Sequence, residues 1–141
     1  MESIEAAELG DGALLLVDSA PIIYTLEGHQ KFAKRFERVF ELHAKGQLRL
    51  AVSTVTIAEV LTGPLQAGEE ALARRYRRVL EGWVVVDFNA DIAEGAARMR
   101  ARYGLKLPDA IQAASAIAIN ADALVTHDRD FGRVKGLRVL M

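Results

Sequence analysis

An α/β fold, a parallel β-sheet flanked by helices on both sides, is what this 141-residue chain predicts. Short, continuous apolar runs such as Ala13 to Val17 (ALLLV) read as strands buried on both faces, as in a parallel sheet. Longer amphipathic or small-residue segments with cap signals separate those runs, and regular alternation of strand with helix implies right-handed crossovers. The length is that of one domain, and 51% hydrophobic with 26% charged residues is the balance of a folded globular chain.

The elements follow in order. After the first strand and Asp18, Ser19 and Pro21 supply an N-cap candidate and a helix-compatible proline, opening a short helix that Gly28 closes. From Gln30 to Lys45, Phe32, Phe36, Val39, Phe40 and His43 recur at three- and four-residue spacing among basic residues, an amphipathic helix ending at Gly46. Leu48 to Val52 is the second strand; Ser53 or Thr54 caps a helix that runs to Gly63-Pro64, and a further helix spans about Glu69 to Leu80. Trp83 to Val86 is the third strand, followed at Asn89 or Ala90 by a helix with Ile92, Ala96 and Met99 on one side. Pro108 starts the next helix, nearly all Ala and Ile from Asp109 to Asn120, whose small side chains favour close packing on the sheet. Ala123 to Val125 and Leu137 to Leu140 complete the strands. No repeat or linker divides the chain, so residues 13–141 form one domain behind a leader, residues 1–12, whose alternatives are a flexible tail and an artefact of start-site choice.

Composition excludes several classes. Without cysteine there is neither a disulfide framework nor a thiolate metal site. The leader is acidic (Glu2, Glu5, Glu8, Asp11), the wrong chemistry for a secretory signal, and the longest low-charge stretch is too short to span a bilayer; a cytoplasmic protein is expected. A formal charge of −1 provides no general attraction to polyanions. The arginines at 74, 75, 77 and 78, and at 98, 100 and 102, offer local basic ridges, although solvated helix faces are the ordinary reading.

Four acids, Asp18, Glu59, Asp109 and Asp128, each stand where an apolar segment ends or a helix begins. In open parallel sheets those places converge at the carboxyl ends of the strands. Singly, each has a bland explanation as a turn, a cap or a solvated helix position. Together they would repel one another, and a divalent cation is the natural compensation; hard oxygen ligands select Mg2+ or Mn2+. Asp130 competes with Asp128 for the last position, Asp128 being nearer the strand. The histidines His29, His43 and His127 show no ligand spacing, no Walker lysine pattern or G-x-S-x-G elbow exists, and Ser19 reads as a helix cap or a partner of the site.

The segments LLLVDSAPIIYTLEG, VSTVTIAEVL, LPDAIQAASA and LVTHDRDFG, in this order and spacing, resemble the PIN domain family, and specifically VapC-type toxins of toxin-antitoxin pairs. The resemblance runs from about Ala13 to the C-terminus and implies a Mg2+- or Mn2+-dependent ribonuclease that acts on RNA. It implies catalytic roles for Asp18, Glu59, Asp109 and Asp128, metal ligation by Asp18, Asp109 and Asp128, and a supporting hydroxyl at Thr126. It also implies homodimers and a small antitoxin bound near the first helices, where Ile22, Ile23, Tyr24, Phe32 and Phe36 supply apolar surface. Two other expectations are a receiver-like signalling domain, disfavoured by the lack of an acidic pair after the first strand, and a PIN scaffold without turnover.

Overall fold

The computed structural model describes residues 1–141. Ala13–Val17 form β1, and the two-residue period of a strand divides its side chains between two apolar clusters: Leu14 and Leu16 enter one, Leu15 and Val17 the other. With β2 (Leu48–Ser53), β3 (Val84–Val86), β4 (Ala123–Val125) and β5 (Val139–Leu140), it makes a five-stranded sheet of order β3-β2-β1-β4-β5. All four pairings are parallel, as the buried strands require.

Six helices cover the two faces: α1 (Ser19–Glu27), α2 (Ala33–Ala44), α3 (Thr54–Gln66), α4 (Glu70–Glu81), α5 (Ala90–Tyr103) and α6 (Leu107–Ala118). From β1 to β3 the chain steps outward in one direction, so right-handed crossovers put α1 to α4 on one face, where Ile22, Phe36, Val39, Val60 and Leu80 join Leu15 and Val17. The next crossover returns past β1 to β4 and puts α5 and α6 on the opposite face, where Ile92, Ala96 and Ala110 join Leu14 and Leu16. The reversal of strand order therefore falls between β1 and β4, and the crevice beyond their carboxyl ends is where such folds bind ligands.

Close packing of α5 and α6 follows from their small residues. A Cβ on Gly95 would lie 3.3 Å from the Cβ of Ala114, so the absent side chain lets the helices approach. Residues Ala110 to Ala116 are all buried.

Several boundaries differ from the sequence expectation, each for a local reason. Asp18, not Ser19, is the N-cap of α1, and Ser19 is the first helical residue. Helix α2 starts at Ala33 because the His29 ring accepts from the backbone N–H groups of Lys31 and Phe32, holding those residues in a turn. Helix α3 runs through Pro64 to Gln66, since a proline in a last turn removes one backbone bond without blocking the next residues. Strands β3 and β5 are shorter than their apolar runs.

The first twelve residues, for which a flexible tail is one of two alternatives, are packed on the domain. Ile4 and Ala7 are buried, Glu2 extends the β5 edge through a parallel bridge to Leu140, and Arg138 forks onto the Glu2 carboxylate at 2.6 and 2.9 Å. Arg38 of α2 donates to the carbonyls of Ile4 and Ala7. Isolated apolar residues among acids gave no periodic signal, which is why the sequence pattern concealed this segment. No helix is long and apolar enough to cross a membrane.

Candidate metal centre

At the end of β1, Asp18 is held on three sides. Its Oδ1 accepts from the Ser19 amide at 2.9 Å and from Gln112 Nε2 at 3.1 Å, and its Oδ2 accepts from Thr126 Oγ1 at 2.8 Å. Bonds to an ionised acceptor contribute about 1.5–3 kcal/mol each, enough to fix the carboxylate in one orientation. The donors come from the α1 N-terminus, from α6 and from the residue after β4, so the strand switch and the helix approach jointly build this position. Ser19 enters through its backbone N–H.

Asp109 sits in the first turn of α6, behind Pro108, where the helix dipole favours an anion. Asp128 follows β4, with its N–H bonded to Thr126 Oγ1 at 3.0 Å. Its own Oδ1 accepts from the Asp130 N–H at 2.9 Å, capping a short 3-10 turn, Arg129–Arg133, that swings Asp130 back toward the other acids. One oxygen from each of Asp109, Asp128 and Asp130 lies within 4.8 Å of the others. Both Asp128 and Asp130, the two candidates for the last position, thus stand beside Asp109.

Asp18 lies outside that tightest triple but near enough for its charge to act on Asp109 and on Glu59. Burial, followed by the charges of Asp128 and Asp18, a carboxyl contact with Asp128 and the charge of Asp130, pushes the Asp109 carboxyl up from 3.8 to about 6. Glu59, one turn into α3 and reaching solvent, is raised for the same two reasons, loss of hydration first and Asp18 second. In both shifts loss of hydration leads and the charge of neighbouring acids adds to it. All donors are hard oxygens in a half-buried setting, which fits a small divalent cation.

Sequence reasoning named Thr126 and Ser19 as support but missed Gln112. Gln112 is one helical turn beyond Asp109 and 1% exposed; besides Asp18 it donates to Thr56 Oγ1, which also accepts from Ser53 Oγ at 3.1 Å. An amide one turn from an acid, in a run otherwise of Ala, Ile and Ser, was the available signal. His127 packs edge-on against Tyr24, Phe32 and Phe36, its Nδ1 2.9 Å from the Tyr24 hydroxyl. Burial, then the charges of Arg35 and Arg129, lowers its pKa. Those two arginines, outside the clusters on α4 and α5, are the cations whose charge acts on His127.

Topology and geometry together make this an open parallel α/β domain with three clustered carboxylates, a set of oxygen donors able to hold a cation, at its strand switch. The particular lineage is defined by sequence: residues 15–137 match the PIN domain model, and the chain belongs to that family. No curated protein matches it. Among solved structures, a toxin-antitoxin complex from Klebsiella pneumoniae is 27% identical, covering 90% of this chain and 96% of its counterpart, with a TM-score of 0.71. VapBC-1 from nontypeable Haemophilus influenzae is 26% identical over 89% and 96%, with a TM-score of 0.67. VapC20 from Mycobacterium tuberculosis, a sarcin-ricin loop cleaving toxin, shares the fold at 17% identity over 84% and 92%, with a TM-score of 0.65.

Proposed function

We propose that this chain is a Mg2+- or Mn2+-dependent endoribonuclease acting as the toxin of a toxin-antitoxin pair. The observation that carries the reading is the convergence of Asp109, Asp128 and Asp130 in a PIN domain, beside an Asp18 whose orientation is fixed. The likeness to toxin-antitoxin complexes supports the biological role.

Asp18, Asp109 and Asp128 hold the cation, with Asp130 completing the negative field. When bound, the ion lowers the pKa of its water and stabilises charge on the phosphorane. Glu59, whose carboxyl burial and the charge of Asp18 push upward, would accept a proton from the attacking water. Thr126 keeps Asp18 and Asp128 in register by donating to one and accepting from the other's backbone. In-line attack on the RNA phosphodiester leaves a 5′-phosphate and a 3′-hydroxyl.

The antitoxin reading places a small partner protein along α1 and α2, where a cavity of about 650 Å³ is lined by Thr25, His29, Ala33, Lys34, Phe40 and other residues of these helices and of the turn between them. None of the four acids lines it. Of the apolar residues expected to face the partner, Ile22 and Phe36 are instead buried in the core, at 1% and 0% exposure. A homodimer in the cytoplasm completes the proposal, and a purified chain that runs only as a monomer would contradict that part.

The deciding experiment is cleavage of total RNA by the purified chain with Mg2+, Mn2+ or EDTA, with mapping of the product ends. Metal-dependent cuts bearing 5′-phosphates support the reading. No cleavage with either ion would favour a scaffold without turnover.

A further inference from the structure

The Asp18 carboxylate offers roughly four lone-pair positions. Two on Oδ1 are taken, by the Ser19 amide and by Gln112 Nε2, and one on Oδ2 is taken by Thr126 Oγ1. A single acceptor position remains, and it is on Oδ2. Gln112 is the donor that fills Oδ1, and it has no freedom to do otherwise. It is 1% exposed on α6, and Nε2 is shared between Asp18 and Thr56 Oγ1. Thr56 is in turn fixed by Ser53, whose hydroxyl donates to Thr56 Oγ1 and accepts from the Thr56 N–H, each at 3.1 Å. The amide's own Oε1 is buried without a partner. An acceptor left unsatisfied in the interior is costly, by about 1–3 kcal/mol, so packing alone gives little reason for an amide here.

We propose that Gln112 is a positioning residue that makes Asp18 a one-oxygen ligand: by filling Oδ1 it leaves only Oδ2 to meet a divalent cation. The consequence is ion selectivity. Mg2+ and Mn2+ suit compact octahedral sites built from single carboxylate oxygens, whereas Ca2+ accepts two oxygens of one carboxylate in a larger shell. Releasing the Oδ1 position that Gln112 fills, with the Ser19 amide still on the other, lets Asp18 offer one lone pair from each oxygen and shifts the preference toward the larger ion. This inference rests on the nuclease reading, and the test separates the two.

Binding of Mn2+ and of Ca2+ is measured by calorimetry on the unaltered chain and on Gln112→Met, which keeps an unbranched side chain of similar length without the donor. The expected result is a fall of about tenfold in the ratio of the Ca2+ to the Mn2+ dissociation constant, with kcat for RNA cleavage in Mn2+ reduced about 10- to 100-fold at unchanged KM, the usual scale for partners that orient ligands. Thr56→Val, which removes the acceptor holding the amide in place, carries the same comparison should Gln112→Met fail to fold, and is expected to move the ratio in the same direction by less. A ratio and kcat unchanged in the variant overturn the positioning role while leaving the nuclease intact. Absence of Mn2+ binding by the unaltered chain overturns the nuclease reading and the inference with it.

Discussion

At the scale of single residues, Asp109 carries the strongest tension in the fold. Its carboxyl is raised to about 6 from 3.8, so the fold favours the protonated form. Its contribution to stability is therefore fully present below about pH 4 and is lost as pH rises through about 6; Glu59, also raised, has the same sign. In EDTA the melting temperature is expected to fall between pH 5 and pH 7.5, and Asp109→Asn to flatten that decline, read by thermal scans of both chains. The same variant should abolish RNA cleavage while leaving the metal-free protein as stable or more stable at pH 7.5, because it removes a repelled charge. Saturating Mn2+ restores the missing counter-charge. At a hundredfold excess over its dissociation constant it adds about 2.7 kcal/mol, visible as a higher melting temperature in the unaltered chain and a much smaller rise in Asp109→Asn.

At the scale of elements, the pairing of α5 with α6 controls where the α6 acid and amide stand. Gly95 faces Ala114 so closely that even a methyl would meet it at 3.3 Å. Gly95→Leu should cost about 1–3 kcal/mol in urea unfolding, through overpacking, and should weaken Mn2+ binding as α6 moves away from β1. A variant that lost stability yet kept its Mn2+ affinity would show that α6 is held by the sheet and not by α5. The elements that were legible in the sequence are those whose signals are local and periodic. The ALLLV strand, the amphipathic α2 and the Ala-rich α6 all announce themselves through apolar spacing. Their ends were less legible, because they depend on contacts such as the His29 ring capping the turn before α2 and Asp18 outcompeting Ser19 as the cap of α1. At the site, Asp18, Glu59, Asp109 and Asp128 stood out by their places at strand and helix ends. Asp130 could be placed only by the 3-10 turn that brings it to the cluster, and Gln112, signalled only by an amide one turn from Asp109, gained its meaning from α6 lying beside β1.

At the scale of the whole molecule, the first twelve residues close the edge that β5 would otherwise expose, a service that no local pattern in their sequence records. Edge strands with free N–H and C=O groups invite unwanted pairing. Here the Glu2 N–H donates to the Val139 carbonyl at 3.0 Å and the Met141 N–H to the Glu2 carbonyl at 2.9 Å, so the segment acts as a short extra strand. Two anchors hold it from opposite sides of the chain order: Ile4, 1% exposed in the cluster with Leu15 and Phe36, and the Arg38 guanidinium, which donates to the Ile4 and Ala7 carbonyls. Ile4→Ala should cost about 2–5 kcal/mol, by loss of apolar burial and a residual cavity. Arg38→Ala should cost less, about 1–3 kcal/mol, by leaving carbonyls unpaired. Because both changes undock the same segment, the second has little left to release once the first is made. The double variant is therefore expected to lose less than the sum of the two single losses, by more than about 0.5 kcal/mol in a urea double-mutant cycle. Strict additivity would mean that each anchor acts on its own part of the domain and that the segment does not dock as a unit.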